Sequence, residues 1–323
     1  MRVLFAGSPS IAVPSLEALA ASRHTVVGVL TNPESAAGRG LKTARTPVAE
    51  ASGRLFGTSV PVFAFDRLGS EARQAIAMVK PDILVSFAYG RIFGPRFLAL
   101  FLHGGLNVHP SLLPRWRGSS PIPHAILARD KETGIAIQSI AAELDSGDLY
   151  RVERIPLTGR ETTASLTNIC AHLAAPLLVE VLDEIEAGTA RPQPQQGEAV
   201  YCGKIAKEDG LLDWSLPAVV LDARIRAFDP WPGTYTFIRN QRLSILEAEP
   251  CDPGSCNGRN LINPSTKYAP GTIIGIDPQR GILTATGEGF LALKRLQLAT
   301  RKAVSFKDFA NGIRDLAGTV LGA

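Results

Sequence analysis

Asn107 and His109 are two residues apart in an apolar segment, residues 105–109, whose composition predicts a β-strand that ends at Pro110. Residues two apart on a strand point to the same face, so the amide and the imidazole are predicted to lie side by side. In an open parallel α/β sheet, ligands bind at the carboxyl ends of the strands. At such a position, Asn107 and His109 could donate hydrogen bonds to an oxygen atom that gains negative charge during acyl transfer. For this short pattern alone, a histidine that is simply satisfied at a strand terminus is the more common alternative.

Asp145, in the segment Leu144-Asp145-Ser146-Gly147-Asp148, is the candidate for the carboxylate that such chemistry needs. A carboxylate close to a histidine can hold the imidazolium and accept a proton from an attacking amine. By itself Asp145 is more typical of an aspartate in a turn, and the glycine that follows allows the backbone to turn tightly. Asp148 is the competing carboxylate, three residues further along the chain.

A longer pattern around these residues resembles the 10-formyltetrahydrofolate-dependent formyltransferases. Its parts follow one another as Asn107-Val108-His109, Ser111-Leu112-Leu113-Pro114, Arg117-Gly118, Pro121-Ile122 and Leu144-Asp145-Ser146-Gly147-Asp148. The resemblance implies direct acyl transfer in which Asn107 and His109 stabilise the oxyanion. It also implies that Asp145, rather than Asp148, assists proton transfer.

The resemblance further places the formyl donor, 10-formyltetrahydrofolate, at Ser111, Leu112, Leu113 and Pro114. Leucines and backbone amides suit a pterin, because its flat ring has apolar faces and an edge of hydrogen-bond donors and acceptors. Arg115 and Arg117 could bind the anionic tail of folate or a tRNA phosphate, and the sequence leaves these two roles open. No metal ion is expected.

Segments elsewhere narrow the resemblance to the methionyl-tRNA formyltransferases. Ala37-Gly38-Arg39-Gly40 is similar to the loop with which that family reaches the tRNA acceptor end, so Arg39 and Lys42 are the candidates for tRNA binding. The implied acceptor is initiator methionyl-tRNA. Similar segments in the second half are Lys207-Glu208-Asp209-Gly210, Asp213-Trp214-Ser215 and residues 226–233. A solvated surface loop is the alternative for residues 32–47.

These residues need a scaffold, and the predicted fold class is α/β. A strand, a glycine turn, a helix and a second strand open the chain, which indicates a Rossmann-type parallel-sheet catalytic domain at residues 1–188. The turn lacks the G-x-G-x-x-G pattern, which disfavours a dinucleotide site. Residues 189–204 have the composition of a linker. Five short alternating strands in residues 205–323 predict a small OB-fold-like β-barrel, to which the resemblance assigns tRNA binding.

Composition places the chain among ordinary globular enzymes, with 45% hydrophobic and 20% charged residues. No apolar run reaches the ~20 residues of a membrane span, and we expect a cytoplasmic monomer without a membrane partner. The four cysteines show no zinc-site spacing and are expected to be free thiols. The net charge of +4 is too small to indicate a polyanionic partner on its own.

Two other functions remain open at this point. A formyltransferase acting on an amino-sugar nucleotide would use the same catalytic residues with a different acceptor, and the Arg39 loop argues against it. A catalytically inactive RNA-binding adaptor would account for a basic second half. That adaptor would leave unexplained why Asn107, His109 and Asp145 are all present.

Overall fold

The computed structural model describes residues 1–37, 42–251, 266, 268–313 and 315–322, and the chain divides into two compact units. The first unit comprises Met1–Pro121, Glu132–Leu157 and Ser165–Gly203. The second comprises Ile122–Lys131, Thr158–Ala164 and Lys204–Ala323. The sequence does not predict the two short stretches, 122–131 and 158–164, that belong to the second unit.

The chain opens with a strand, a helix and a second strand, as the sequence predicts, and strands and helices are mixed as far as residue 202. Their bounds are β1 Arg2–Gly7, α1 Val13–Ala21, β2 Thr25–Thr31, β3 Ser35–Ala37, β4 Lys42–Ala44, α2 Pro47–Phe56, β5 Val62–Ala64, α3 Ser70–Met78, β6 Ile83–Phe87, α4 Pro95–Leu98, β7 Gly105–His109, β8 Arg117–Gly118, α5 Pro121–Leu127, β9 Glu132–Ser139, β10 Leu149–Pro156, α6 Thr163–Glu186 and β11 Tyr201–Cys202.

The main sheet of the first unit has seven strands in the order β10-β9-β7-β6-β1-β2-β5. Its central strands are buried along almost their whole length, and all five residues of β6 are buried. Such continuous apolar strands are typical of a sheet that is covered on both faces. Side chains of Leu4, Leu84 and Tyr89 belong to one core cluster, and Phe93, Phe97 and Phe101 extend it with ring centroids 5.4 to 5.7 Å apart.

The predicted Rossmann-type sheet is confirmed, with five parallel strands that are extended at one edge by two antiparallel ones. Strands β5, β2, β1, β6 and β7 run parallel, whereas β9 is antiparallel to β7 and β10 is antiparallel to β9. An antiparallel neighbour needs no crossover to the opposite end of the sheet. The chain therefore turns back near the carboxyl end of β7, and Ala136 of β9 lies opposite His109.

Helix α6 has 24 residues and is long and apolar enough, by length and composition, to cross a membrane. Its apolar side is largely packed against the rest of the protein, with Leu166, Cys170, Ala174 and Leu178 among its buried residues. These positions recur every three to five residues, so they form one buried face of a helix. Because the core helix of a globular protein can pass the same test of length and composition, α6 is only weak evidence for a membrane span.

The second unit contains an antiparallel sheet in the order β12-β13-β16-β15-β14, with β17 beside β16. Its elements are α7 Ala218–Ala227, β12 Thr234–Ile238, β13 Gln241–Cys251, β14 Ile273–Asp277, β15 Gly281–Ala285, β16 Phe290–Leu298, β17 Val304–Ser305 and α8 Phe306–Gly312.

C-terminal residues join the two edge strands of this sheet. Phe237 of β12 exchanges two backbone hydrogen bonds with Gly322, of 2.8 and 3.1 Å. Ile273 of β14 donates its backbone N–H to the carbonyl of Thr319 at 2.8 Å. The sheet therefore closes through residues 319–322, as expected for the small barrel that the sequence predicts. Closure also removes the open strand edges on which another chain could add a strand.

The stretch predicted as a linker, residues 189–204, is packed on the first unit as far as Gly203. Gln193 exchanges backbone hydrogen bonds of 2.8 and 2.9 Å with Leu149. Further on, β11 pairs in parallel with β8, with Tyr201 opposite Arg117. The composition of this stretch is that of a linker, but its backbone donors and acceptors are used by strands of the catalytic fold.

Some predicted features lie outside the described residues. Arg39 is one of them, as is Cys256, one of the four cysteines. Lys42 begins β4, and its side chain is outside the described part as well. Cys170, Cys202 and Cys251 are all buried, and the first two are free thiols. Burial raises the pKa of the Cys170 thiol to about 12.

Candidate active site

Asn107 and His109 lie on β7, and the structure brings both to Asp145, which belongs to the loop between β9 and β10. The Nδ2 atom of Asn107 donates to Oδ1 of Asp145 at 3.2 Å. The Nδ1 atom of His109 is 3.6 Å from Oδ2 of the same carboxylate. The side chains of His109 and Asp145 are only 5% and 8% exposed. The three residues that the sequence singles out therefore meet in one largely buried group.

The loop from residue 140 to residue 148 can reach β7 because of its backbone geometry. Asp145 has a positive φ of 52°, a conformation that non-glycine residues adopt infrequently. At Gly147, a Cβ atom would lie 1.8 Å from the carbonyl oxygen of Ser139, so this position requires glycine. Asp148, the competing carboxylate, is exposed and pairs its backbone with Ser139. The turn therefore places Asp145, and not Asp148, beside Asn107 and His109.

Three neutral donors surround the Asp145 carboxylate. Besides Asn107, the Nε2 atom of Gln138 donates to Oδ1 at 3.0 Å, and the backbone N–H of Gly118 donates to Oδ2 at 2.9 Å. Both oxygens of the carboxylate therefore accept hydrogen bonds, as expected for a polar side chain that is only 8% exposed.

His109 is fixed on both sides of its ring. Its Nε2 atom is 2.8 Å from the carbonyl oxygen of Trp116. A carbonyl oxygen can only accept, so Nε2 carries the hydrogen and Nδ1 is the nitrogen that can gain or lose a proton. Burial lowers the pKa of His109, and the charge of Asp145 together with the Trp116 carbonyl opposes that shift. The neutral imidazole is therefore favoured at neutral pH, with a carboxylate beside it for the imidazolium.

The predicted folate segment follows directly after the strand. Ser111 is fully buried and its hydroxyl donates to the carbonyl of Arg115 at 2.6 Å, while Leu113 is also buried. A surface cavity of about 540 Å³ is lined in part by Leu112 and Leu113, together with residues of β10 such as Leu149 and Val152. Asn107, His109 and Asp145 do not line this cavity, so its position gives no support for placing the reaction there.

The two arginines whose roles the sequence left open differ in their surroundings. Arg115 is exposed, and its guanidinium carbon is 4.3 Å from the centre of the Trp116 ring. Arg117 is only 11% exposed, and both its Nε and Nη2 atoms donate to Oε1 of Gln195, at 3.1 and 2.7 Å. Arg117 is therefore engaged within the first unit, whereas Arg115 faces solvent.

Sequence reasoning missed two glutamines in this group. Gln138 stands in the apolar strand Gly134-Ile135-Ala136-Ile137-Gln138 and is only 1% exposed, so a polar residue inside a buried strand was a usable signal. Gln195 lies in a stretch of linker composition, where no sequence signal distinguished it from its neighbour Gln196.

One group of possible metal ligands occurs among the described residues, outside the site around Asp145. It consists of His24, Asp183 and Glu186, whose ligand atoms lie within 4.8 Å of one another. Arg23 pairs with both carboxylates, at 2.5 and 3.1 Å. Burial lowers the pKa of His24, so it is a neutral residue beside two carboxylates that already have a cationic partner.

Buried polar groups of this kind, on the carboxyl side of a Rossmann-type sheet, can stabilise an oxyanion and move a proton, which are the needs of acyl transfer. Comparison with known families gives the class. Residues 1–182 match the family described as formyl transferase, and residues 204–314 match the formyl transferase C-terminal domain. The first match alone covers more than half of the chain.

Relatives that match over nearly their whole length show which formyl transferases this chain resembles. The methionyl-tRNA formyltransferase of Treponema pallidum is 46% identical over 319 residues, which are 97% of this chain and 96% of that protein. The methionyl-tRNA formyltransferase of Acidithiobacillus ferrooxidans is 38% identical over 99% of this chain and 98% of its own length. The chain belongs to the methionyl-tRNA formyltransferase family.

A more distant solved structure shares the fold. The N-formyltransferase from Helicobacter canadensis, solved with folinic acid and dTDP-3-aminofucose, has a TM-score of 0.63 at 17% identity and covers 93% of this chain and 99% of its own. At this identity the likeness shows the fold alone, so it does not favour a sugar nucleotide as the acceptor here.

Proposed function

We propose that this protein transfers the formyl group of 10-formyltetrahydrofolate to the free amino group of initiator methionyl-tRNA, and that it does so as a cytoplasmic monomer. The observation that carries the proposal is the buried group of Asn107, His109 and Asp145, in a chain that is 46% identical to a methionyl-tRNA formyltransferase over nearly its whole length. The product, N-formylmethionyl-tRNA, would serve translation initiation.

In the proposed reaction, the amine nitrogen of methionine attacks the formyl carbon. A carbon–nitrogen bond forms to methionine while the bond from the formyl carbon to folate nitrogen breaks. Asn107 has two N–H bonds on Nδ2, one of which serves Asp145, so the other can donate to the formyl oxygen as that oxygen gains charge. His109, once it is protonated at Nδ1, adds a positive charge at the same face of the strand.

Proton transfer is the proposed task of Asp145, acting with His109. The amine loses a proton as it becomes an amide, and the leaving folate nitrogen needs one. Nδ1 of His109 can take up the proton of the amine and pass it to the folate nitrogen as the bond to the formyl carbon breaks, and the Asp145 carboxylate 3.6 Å away stabilises the imidazolium in between. Because Nε2 stays bonded to the Trp116 carbonyl, the ring does not have to turn during the step.

The donor and acceptor are assigned to separate parts of the chain. Ser111, Leu112, Leu113 and Pro114 are proposed to bind the folate, since the buried Leu113 can cover a pterin face and backbone groups can pair with its edge. Arg39 and Lys42 are proposed to bind the tRNA near its acceptor end. The second unit would hold the body of the tRNA through phosphate contacts.

A formylation assay with two acceptors tests this function. Purified protein is given 10-formyltetrahydrofolate together with either charged initiator tRNA or an amino-sugar nucleotide, and the formylated product is measured in each case. We expect product with the charged tRNA and none with the sugar nucleotide. If only the sugar nucleotide is formylated, the acceptor is an amino-sugar nucleotide and not methionyl-tRNA. If neither compound is formylated, the proposed function is wrong.

A further inference from the structure

Two of the three neutral hydrogen bonds to the Asp145 carboxylate depend on the segment 189–203. Gly118, the donor to Oδ2, lies on β8, which is aligned by pairing with β11 of that segment. Gln138, the donor to Oδ1, has its own Oε1 atom 3.2 Å from Nε2 of Gln195. A stretch with the composition of a linker thus supports the donors that hold the carboxylate.

Gln195 is the central contact of this support. Its Nε2 atom is 2.8 Å from the backbone carbonyl oxygens of both Asp145 and Gly147. Its Oε1 atom accepts two hydrogen bonds from the guanidinium of Arg117. The orientation of the amide is fixed by these partners, because carbonyls can only accept and a guanidinium can only donate.

A second set of contacts holds the loop between β9 and β10. The hydroxyl of Tyr201, in β11, donates to Oε1 of Glu143 at 2.7 Å, and Nη1 of Arg117 is 3.6 Å from that carboxylate oxygen. Glu143 is an exposed residue of the loop, whereas the contacts of Gln195 are partly buried. Of the two contacts, the one made by Gln195 is therefore less accessible to water and closer to the carboxylate.

We propose that Gln195 is a positioning residue for formyl transfer, which holds the Asp145 carboxylate beside Asn107 and His109 through the backbone of the 145–147 turn and through Gln138. The inference rests on the function proposed above. Asp145 needs such support, because it lies in a loop without regular secondary structure and has a positive φ of 52°. A misplacement of about 1 Å at a reacting group can lower a rate about a hundredfold.

Two substitutions separate the contacts of Gln195, and a neighbour supplies the control. Gln195→Ala removes all of its hydrogen bonds. Gln195→Glu keeps the size of the side chain and the acceptor for Arg117, but it cannot donate to the carbonyls of Asp145 and Gly147. Gln196→Ala removes the same type of side chain from an exposed adjacent position. Each variant is measured for kcat, for KM of both substrates and for hydrogen exchange of the amides at residues 143–148.

We expect Gln195→Ala and Gln195→Glu to lower kcat about tenfold or more, with both KM values within twofold of wild type. Exchange at residues 143–148 should become faster in both, and Gln196→Ala should match wild type throughout. The double variant Gln195→Ala with Gln138→Ala should lose less activity than the product of the two single losses, because part of the effect of Gln195 passes through Gln138.

Wild-type kcat in Gln195→Glu, or unchanged exchange in Gln195→Ala, would overturn the inference. So would an equal loss of activity in Gln196→Ala, because the effect would then not be specific to the contacts of Gln195. If wild-type protein itself formylates no methionyl-tRNA, the proposed function fails. Hydrogen exchange in the full-length variants still decides, independently of activity, whether Gln195 holds the Asp145 loop.

Discussion

Nδ1 of His109 and Oδ2 of Asp145 are 3.6 Å apart, and each residue is held on its far side by a backbone group of the segment that follows β7. The carbonyl of Trp116 accepts from Nε2 of His109, and the N–H of Gly118 donates to Oδ2 of Asp145. Two consecutive peptide groups, one on each side of Arg117, therefore hold the imidazole and the carboxylate in place. Changes in either the side chains or this short segment should affect the same chemistry.

Replacing the carboxylate by an amide tests the charge at this site. We expect Asp145→Asn to lower kcat by a hundredfold or more with little change in the KM for folate, because it keeps the shape of the side chain but removes the charge that stabilises the His109 imidazolium. Steady-state kinetics with both substrates measure the effect. Asp148→Asn, at an exposed position of the same loop, is the control and should behave as wild type. Near-normal turnover of Asp145→Asn would exclude Asp145 from proton transfer.

The lowered pKa of His109 predicts how stability depends on pH. In the unfolded chain His109 titrates near 6.5, and in the folded protein burial lowers its pKa. Below about pH 6.5 the unfolded state therefore binds more protons, so the contribution of His109 to stability is complete above that pH and is lost as the pH falls. The free energy of unfolding should decrease from pH 7.5 to pH 5.5.

Urea unfolding of a variant isolates this contribution. His109→Gln should show a shallower decrease in the free energy of unfolding over the same pH range, because the titrating group is gone. His24 also has a pKa lowered by burial, so part of the decrease should persist in His109→Gln. Equal slopes for wild type and His109→Gln would contradict the assignment.

The sequence predicts the parts of this site that depend on local pattern. The spacing of Asn107 and His109 places both on one face of β7, and the Ser-Gly after Asp145 predicts the turn that carries it. The remaining parts are set by contacts between distant residues. Gln195 reaches the site because β11 pairs with β8, two strands of two residues each, which are too short to give a periodic signal. Likewise, no local pattern distinguishes the antiparallel β9 from a further parallel strand.

Gly118 should not tolerate a side chain. Its φ is 120°, and a Cβ atom would lie 2.2 Å from the carbonyl oxygen of Cys202 across the β8–β11 pair. We expect Gly118→Ala to separate these strands, to misdirect the N–H that serves Asp145, and to lower kcat at least tenfold. The free energy of unfolding should fall by about 1–3 kcal/mol.

Kinetics and urea unfolding of Gly118→Ala are compared with those of Gly203→Ala. Gly203 is close to the same strand pair, but a Cβ atom there would meet nothing within 4 Å. Its substitution should leave both kcat and stability near wild-type values. If Gly118→Ala is as active and as stable as Gly203→Ala, the alignment of the Gly118 N–H is not important for the reaction.

The last prediction concerns tRNA, and it rests on the sequence because Arg39 lies outside the described residues. Arg39 stands between Gly38 and Gly40. A guanidinium can bind a phosphate through two parallel hydrogen bonds, which a lysine cannot reproduce. Arg39→Ala should therefore raise the KM for charged tRNA or lower kcat strongly, and Arg39→Lys should recover only part of the activity. The KM for folate should stay unchanged in both variants.

Salt and a neighbouring arginine distinguish a tRNA contact from a general effect of charge. Phosphate contacts weaken steeply with salt, so rising salt should increase the KM for tRNA far more than the KM for folate, and Arg39→Ala should reduce that dependence. Arg45, whose guanidinium pairs with Glu34 at 3.4 Å, gives the matched control. Arg45→Ala should have a smaller effect than Arg39→Ala, because the charge of Arg45 is already paired.

If Arg39→Ala formylates initiator tRNA as well as wild type does, Arg39 does not bind the tRNA. If salt raises both KM values equally, phosphate contacts do not contribute to binding of the acceptor. An amino-sugar nucleotide would then be the acceptor to test first.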